Sequence, residues 1–254
     1  MCDLLGLCFS RFYMASRSLP LFAGAGMRRG DMDGWGIGFY FPDGSAHVEK
    51  CAEEAWTSEK YQVLARVVKS NVFIAHLRLA SRGRVCDEFC HPFKLHFRGR
   101  DWLFAHNGDC SAIVNYRTSG ERIPGVEGQD SPRIFEFLRD HILRYLQRNR
   151  KGSLIGAVKW ATEKLFEEYP NGTFNFLLTN GDVLFAHVDR RHSLNNNLYV
   201  LRREKEDGLA ILVTTINGLT REAWTKFFPI RGRGKLLVMS EGELLYNIET
   251  QTFS

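Results

Sequence analysis

No apolar run in this sequence approaches the ~18 residues that cross a bilayer, and the brief apolar stretch at residues 4–9 follows Asp3 where a secretion leader would carry a basic region. Neither a membrane span nor a leader is expected, so the cytoplasm is the expected location. Regular cysteine spacing is also missing. The six cysteines form no close pattern and read as reduced thiols, which excludes a disulfide framework. There is no block of one charge sign. The net charge of +5 is spread among acids, and the densest basic pieces, Arg28-Arg29 and Arg231-Gly-Arg233-Gly-Lys235, are short loops flanked by turn residues, so no nucleic-acid partner is expected. No linker or internal repeat is visible. What remains is an ordinary globular composition, 44% hydrophobic and 25% charged, in 254 residues, a length that one large core can still support.

Alternating apolar residues read as strands at 71–81 and 101–107, and a glycine-punctuated segment leads into a strand at 37–41. Strands at 173–179 and 182–188 are joined by Asn180-Gly181, a dipeptide that tolerates the positive φ of a tight hairpin. Further strands are expected at 198–201, 209–215, 235–239 and 244–248. Helices are expected at 58–69, with Tyr61, Leu64, Val67 and Val68 on one face, and at 153–168 behind a serine cap. A third helix opens at Ser131-Pro132, the serine reading as its cap and the proline as its first residue, with Ile134, Phe135, Leu138, Ile142 and Leu146 forming an apolar face. Strands on either side of central helices, with no βαβ alternation, point to a layered α+β domain and away from a doubly wound sheet.

Cys2 is the most informative position. A small second residue lets the initiator methionine be removed, which leaves a cysteine with a free α-amine. That amine titrates near ~7.7–8.0, so it can take the thiol proton, and nucleophile and base then reside in one residue. With Met1 retained, the same nitrogen is an amide and cannot act as a base. His106-Asn107-Gly108 reads either as a tight turn after a strand or as part of a site. Arg78 reads either as a surface residue on its strand or as a fixed cation.

These pieces occur in an order that resembles the class II glutamine amidotransferases, N-terminal nucleophile hydrolases, and especially their stand-alone YafJ-like branch. The matching segments are Met1-Cys2-Asp3-Leu4-Leu5-Gly6, Asp33-Gly34-Trp35-Gly36, Ala75-His76-Leu77-Arg78-Leu79-Ala80-Ser81, His91-Pro92-Phe93, Ala105-His106-Asn107-Gly108, Gln129-Asp130-Ser131, Phe174-Asn175-Phe176 and Leu219-Thr220 ahead of Trp224. The resemblance implies a four-layer αββα sandwich and a single domain over residues 2–254, with Met1 removed. It also implies that Cys2 attacks the glutamine carboxamide, that ammonia leaves, and that water releases glutamate from a thioester. Asn107 and Gly108 would hold the oxyanions. Arg78 would grip the α-carboxylate through its planar fork, Asp130 the α-ammonium, and Ser81 would stand near the substrate. Asp33-Gly34-Trp35-Gly36 is open between a wall near the nucleophile and a turn into a strand with Trp35 as core. Asp109 carries a charge that would oppose the oxyanion, and is expected to point away.

The resemblance implies no cofactor, and no metal is expected. Cys86, Cys90, His91 and Cys110 lack the paired spacing of a zinc module, and Gly24, Gly26 and Gly30 miss the dinucleotide-binding interval by one residue. Cys110, four residues after His106, is a rival thiol. Three readings stay open: a glutaminase that passes ammonia to a synthase partner, a hydrolase of γ-glutamyl amides or peptides using the same grip, and a catalytically silent module that binds glutamine or a partner.

Overall fold

The computed structural model describes residues 2–30, 32–80, 84–189, 197–205, 208–227 and 233–251. In chain order the elements are β1 (Asp3–Met14), α1 (Ser18–Arg29), β2 (Gly34–Tyr40), β3 (Ala46–Cys51), α2 (Glu59–Val67), β4 (Lys69–Arg78), β5 (Phe93–Phe97) and β6 (Arg100–Asn107). They continue with α3 (Asp130–Arg148), α4 (Leu154–Glu168), β7 (Asn175–Thr179), β8 (Leu184–Val188), β9 (Leu198–Lys205), β10 (Gly208–Thr214), β11 (Thr225–Phe227), β12 (Arg233–Ser240) and β13 (Glu243–Gln251). Among the described residues they form a seven-stranded sheet, β11-β9-β10-β1-β4-β2-β3, and a six-stranded sheet, β13-β12-β8-β7-β6-β5.

The alternation of side chains along each strand builds the layers. In β1, Leu5 and Leu7 face Leu19 and Phe22 of α1 and Tyr61 of α2. Leu4 and Cys8 face the other way, into a core shared with Leu103, Ala105, Leu177 and Leu184 of the second sheet. A third core joins Phe104, Phe176 and Phe185 to Phe135, Leu138 and Leu165 of α3 and α4. Three cores between four layers make the αββα sandwich. Both faces of both sheets are covered, so β2, β7 and β8 are buried at every residue, as strands between two layers must be. At Gly6 the sheets approach so closely that a Cβ would lie 2.9 Å from Val213 and 3.0 Å from Leu184.

Several sequence expectations need correction. The 180–181 hairpin exists, pairing Thr179 with Leu184, but its loop is four residues long. Gly181 alone takes a positive φ of 90° there, while Asn180 Oδ1 accepts from the backbone N–H groups of Asp182 and Val183. α3 starts two residues earlier than expected. Its cap position is Gln129, Asp130 is its first residue, and Ser131 caps nothing; Pro132 still falls in the first turn, where no N–H is needed. On α2, Val67 is 62% exposed, because the helix ends there and Ala65 takes the buried place beside Tyr61. Ser58 and Ser153 do cap their helices, accepting from Tyr61 and Gly156. Gly24 and Gly26 lie within α1, where a Cβ on Gly26 would press on Leu77 at 2.8 Å.

Candidate active site

The space between the sheets opens at one end, where three strand termini meet. Cys2 immediately precedes β1, Arg78 ends β4 and Asn107 ends β6. Each shares its strand face with residues of the inter-sheet core, Leu4 with Cys2, Ile74 with Arg78, Ala105 with Asn107, so all three side chains are directed to that opening. The result is a cleft of about 940 Å³ lined by Cys2, Arg78, Asn107, Gly108 and Asp130, with His76, His91 and His106 among its walls.

The Cys2 sulfur lies across the end of β4, donating to the Leu79 carbonyl at 3.5 Å and accepting the Leu79 N–H at 3.4 Å. Burial pushes the thiol up from its ordinary range, opposed by that N–H and the Arg78 guanidinium. Asn107 Nδ2 donates to the Cys2 carbonyl at 2.6 Å, which ties the candidate nucleophile of one sheet to the candidate oxyanion donor of the other. Gly108 follows where no side chain fits, since a Cβ would stand 1.9 Å from the Thr173 carbonyl and 2.5 Å from His106. Glycine is required there by contact.

Asp130 stands at the α3 N-terminus, where helix dipole and backbone donors favour an anion. Its Oδ2 accepts the Cys110 N–H at 2.7 Å. His106, which faces α3, donates from Nε2 to the Thr173 carbonyl at 2.8 Å. Burial lowers its pKa, so the ring is neutral and Nδ1 accepts from Ser131 Oγ at 3.0 Å; the same hydroxyl lies 3.2 Å from Asp130 Oδ1. Across the cleft His76 and His91 share a 3.0 Å ring-to-ring hydrogen bond. Burial, and then the Arg78 charge, push His76 down to about 3, and burial holds His91 well below its usual range. Both are neutral, polar wall residues.

Asp33 resolves the ambiguity of its segment. Its Oδ2 accepts the Ala80 N–H at 2.6 Å and its N–H donates to the Arg78 carbonyl at 2.8 Å, so it braces the backbone on which Arg78 rides. Trp35 is core, within β2 and edge-on to Tyr61, and Gly36 admits the His91 carbonyl, which a Cβ would meet at 1.9 Å. The segment is therefore both strand and support. Asp109, expected to turn away, belongs to the cleft wall, and its charge is among those opposing the effect of burial on His106.

Five of the six residues singled out from sequence thus line one cleft. Ser81 lies outside the described residues, as do Met1 and the Arg231-Gly232 part of the basic loop. The rival Cys110 is sealed in the α3 core at 3% exposure. Cys90 donates to the Cys51 carbonyl at 3.5 Å, and among the described residues no group of three His, Cys, Asp or Glu side chains is arranged to hold a metal. No described helix is long and apolar enough to cross a membrane. Sequence reasoning gave no role in the cleft to His76, His91 or Thr173, and read Ser131 only as a helix cap. The first two stood in the matching segments, but what they do depends on partners 15 residues apart, and Thr173 carried no local signal.

The family model for class II glutamine amidotransferases matches residues 1–206, and the chain belongs to that family. It is 32% identical to an uncharacterised protein of Methanocaldococcus jannaschii over 97% of this chain and 71% of that one. It is 29% identical to YafJ of Escherichia coli over 95% of this chain and 99% of YafJ. The sandwich is also similar to that in the glutamine phosphoribosylpyrophosphate amidotransferase of Bacillus subtilis, with a TM-score of 0.65 at 14% identity, covering 99% of this chain and 50% of that one. That likeness is one of fold.

Proposed function

We propose that the chain hydrolyses the side-chain amide of glutamine with Cys2, after loss of Met1, as the nucleophile. The observation that carries this reading is the 2.6 Å contact between Asn107 Nδ2 and the Cys2 carbonyl at the mouth of the inter-sheet space. The thiol proton passes to the α-amine of Cys2, the sulfur adds to the carboxamide carbon, and the oxyanion rests on Asn107 and the Gly108 N–H. An amide NH₂ carries two hydrogens, so Asn107 can serve the Cys2 carbonyl and the oxyanion together. Collapse breaks the C–N bond, the leaving nitrogen takes the proton from the amine, and ammonia departs. Water, giving its proton to the same amine, adds to the thioester; glutamate leaves and the thiol is restored.

Arg78 binds the α-carboxylate and Asp130, with Oδ2 fixed by the Cys110 N–H, turns to the α-ammonium. Ser81 is carried by resemblance alone. The unit is a single cytoplasmic domain over residues 2–254, and ammonia passes to water or to a separate synthase chain. The γ-glutamyl reading uses the same Arg78 and Asp130 grip and differs only in the amine that leaves; the size of the cleft, about 940 Å³ and at the upper end of small-molecule sites, is compatible with a leaving group larger than ammonia.

Three measurements test the proposal: the intact mass of the natively expressed chain, ammonia and glutamate release from glutamine and γ-glutamyl amides, and mapping of the residue alkylated by an electrophilic glutamine analogue. Loss of Met1, labelling at Cys2 and a silent Cys2→Ala variant that still binds glutamine are expected. A parent without turnover, or unchanged turnover in Cys2→Ala, overturns the enzymatic reading in favour of a binding module or another thiol.

A further inference from the structure

Four of the charged residues of α3, Arg133, Glu136, Arg139 and Asp140, are buried, none more than 5% exposed. Buried charges persist only when paired and hydrogen-bonded. Here they pair with one another, Arg133 with Glu136 and Arg139 with Asp140, and direct their remaining capacity onto one loop, residues 116–123. Asp140 Oδ2 accepts from Tyr116 Oη at 3.0 Å, Thr118 Oγ1 at 2.8 Å and the Ser119 N–H at 3.0 Å. Arg139 donates to the Glu121 carbonyl at 2.5 Å and to Thr118 Oγ1. Glu136 Oε1 accepts the Ile123 N–H at 2.8 Å, and Arg133 reaches the Ile123 carbonyl at 3.4 Å.

Downstream of this clamp the chain forms one lip of the cleft, with Gly125, Glu127, Gly128 and Gln129 in its lining, and then enters α3 at Asp130. Gly125 and Gly128 take φ of 72° and 81°, conformations that glycine adopts without imposing them. The lip is therefore weakly restrained by its own sequence, and its position is set where it is anchored: at Val126 in the α3 core and at the charged clamp immediately before it.

We propose that Arg133, Glu136, Arg139 and Asp140 are positioning residues for substrate binding, holding residues 124–129 against the cleft so that the amino-acid end of the substrate meets Asp130. This rests on the glutaminase reading above. Acting on the lip and not on the Cys2–Asn107 contact, the clamp governs KM and leaves the chemical step alone.

The test uses Tyr116→Phe, Thr118→Val and their double variant, which remove loop-side partners of Asp140 and leave the helix charges in place, with Asp140→Asn as the stronger change. Glutamine KM and kcat, the rate of Cys2 alkylation by iodoacetamide, and amide hydrogen exchange across residues 124–129 are read together. The double variant is expected to raise KM about tenfold with kcat within twofold, to leave iodoacetamide alkylation unchanged, and to speed exchange in the lip. An unchanged KM overturns the proposal, as does a fall in kcat matched by a change in alkylation rate. A parent that does not turn over glutamine overturns the earlier reading instead; exchange then decides the clamp, and unchanged protection at 124–129 overturns it.

Discussion

Asn107 meets Cys2 through one amide hydrogen, and in the proposed reaction its second serves the oxyanion, so its removal is expected to act on the transition state more than on ground-state binding. Asn107→Ala is expected to lower glutamine kcat by ~10²–10³, about 2.7–4 kcal/mol, with a much smaller change in KM; equal loss in binding and turnover would assign the side chain to the substrate grip. The thiol makes a second prediction. Because burial holds its pKa above the ordinary range, the thiolate fraction at neutral pH is small and rises about tenfold per pH unit. Iodoacetamide labelling of Cys2, followed by mass spectrometry, should therefore climb steadily through pH 9, and a plateau below pH 8 would contradict the burial argument. At this scale the sequence was most legible. Cys2, Arg78, Asn107, Gly108 and Asp130 stood in short ordered motifs, whereas the ring pair of His76 and His91 required the packing of β4 against the 86–92 segment.

Among the elements, legibility followed local chemistry. Ser153 was visible as a cap because capping involves residues three apart, whereas Ser58, read as the start of its helix, is in fact its cap. Ser58→Ala, which removes a 3.2 Å bond to the Tyr61 N–H, is expected to cost about 1 kcal/mol in urea unfolding. Ser131→Ala should not behave as a cap loss, since its hydroxyl serves His106. β1 was seen only as an apolar stretch at 4–9, because its first six residues are all buried and a strand covered on both faces shows no alternation. α1 was missed altogether. Its cap position, Arg17, makes no side-chain cap bond, and its apolar residues are interrupted by two glycines, so neither a start signal nor a clean period is present. The charges of α3 carried no signal of their own: charges beside an apolar stripe ordinarily face solvent, yet here the 116–123 loop covers them.

For the whole molecule, acid sensitivity should begin earlier than carboxylate titration alone would place it. His76, His91, His106, His141 and His187 all have pKa values lowered chiefly by burial. In the unfolded chain each protonates near ~6.5, so below that pH the unfolded state binds more protons than the native one. Stability is thus full above about pH 7 and declines as pH falls, by up to ~1.4 kcal/mol per unit for each histidine until its native pKa is reached. Urea midpoints at pH 7.5, 6 and 5 should fall in that order, and a flat profile would mean that the rings are protonated in place.

β1 lies between β4 and β10, and Leu4 exchanges hydrogen bonds with Thr214 and Thr215, the latter 211 residues away. At ~5–20 residues per second on the ribosome, the partner segment emerges roughly 10–40 s after the start of the chain. Until then the leading strand is an open edge, within reach of the peptidase that would trim Met1. The removal of Met1 that the proposed nucleophile requires therefore has an interval of that length before the β10 side of the sheet can close, set by nothing more than the order in which the two neighbours of β1 are made.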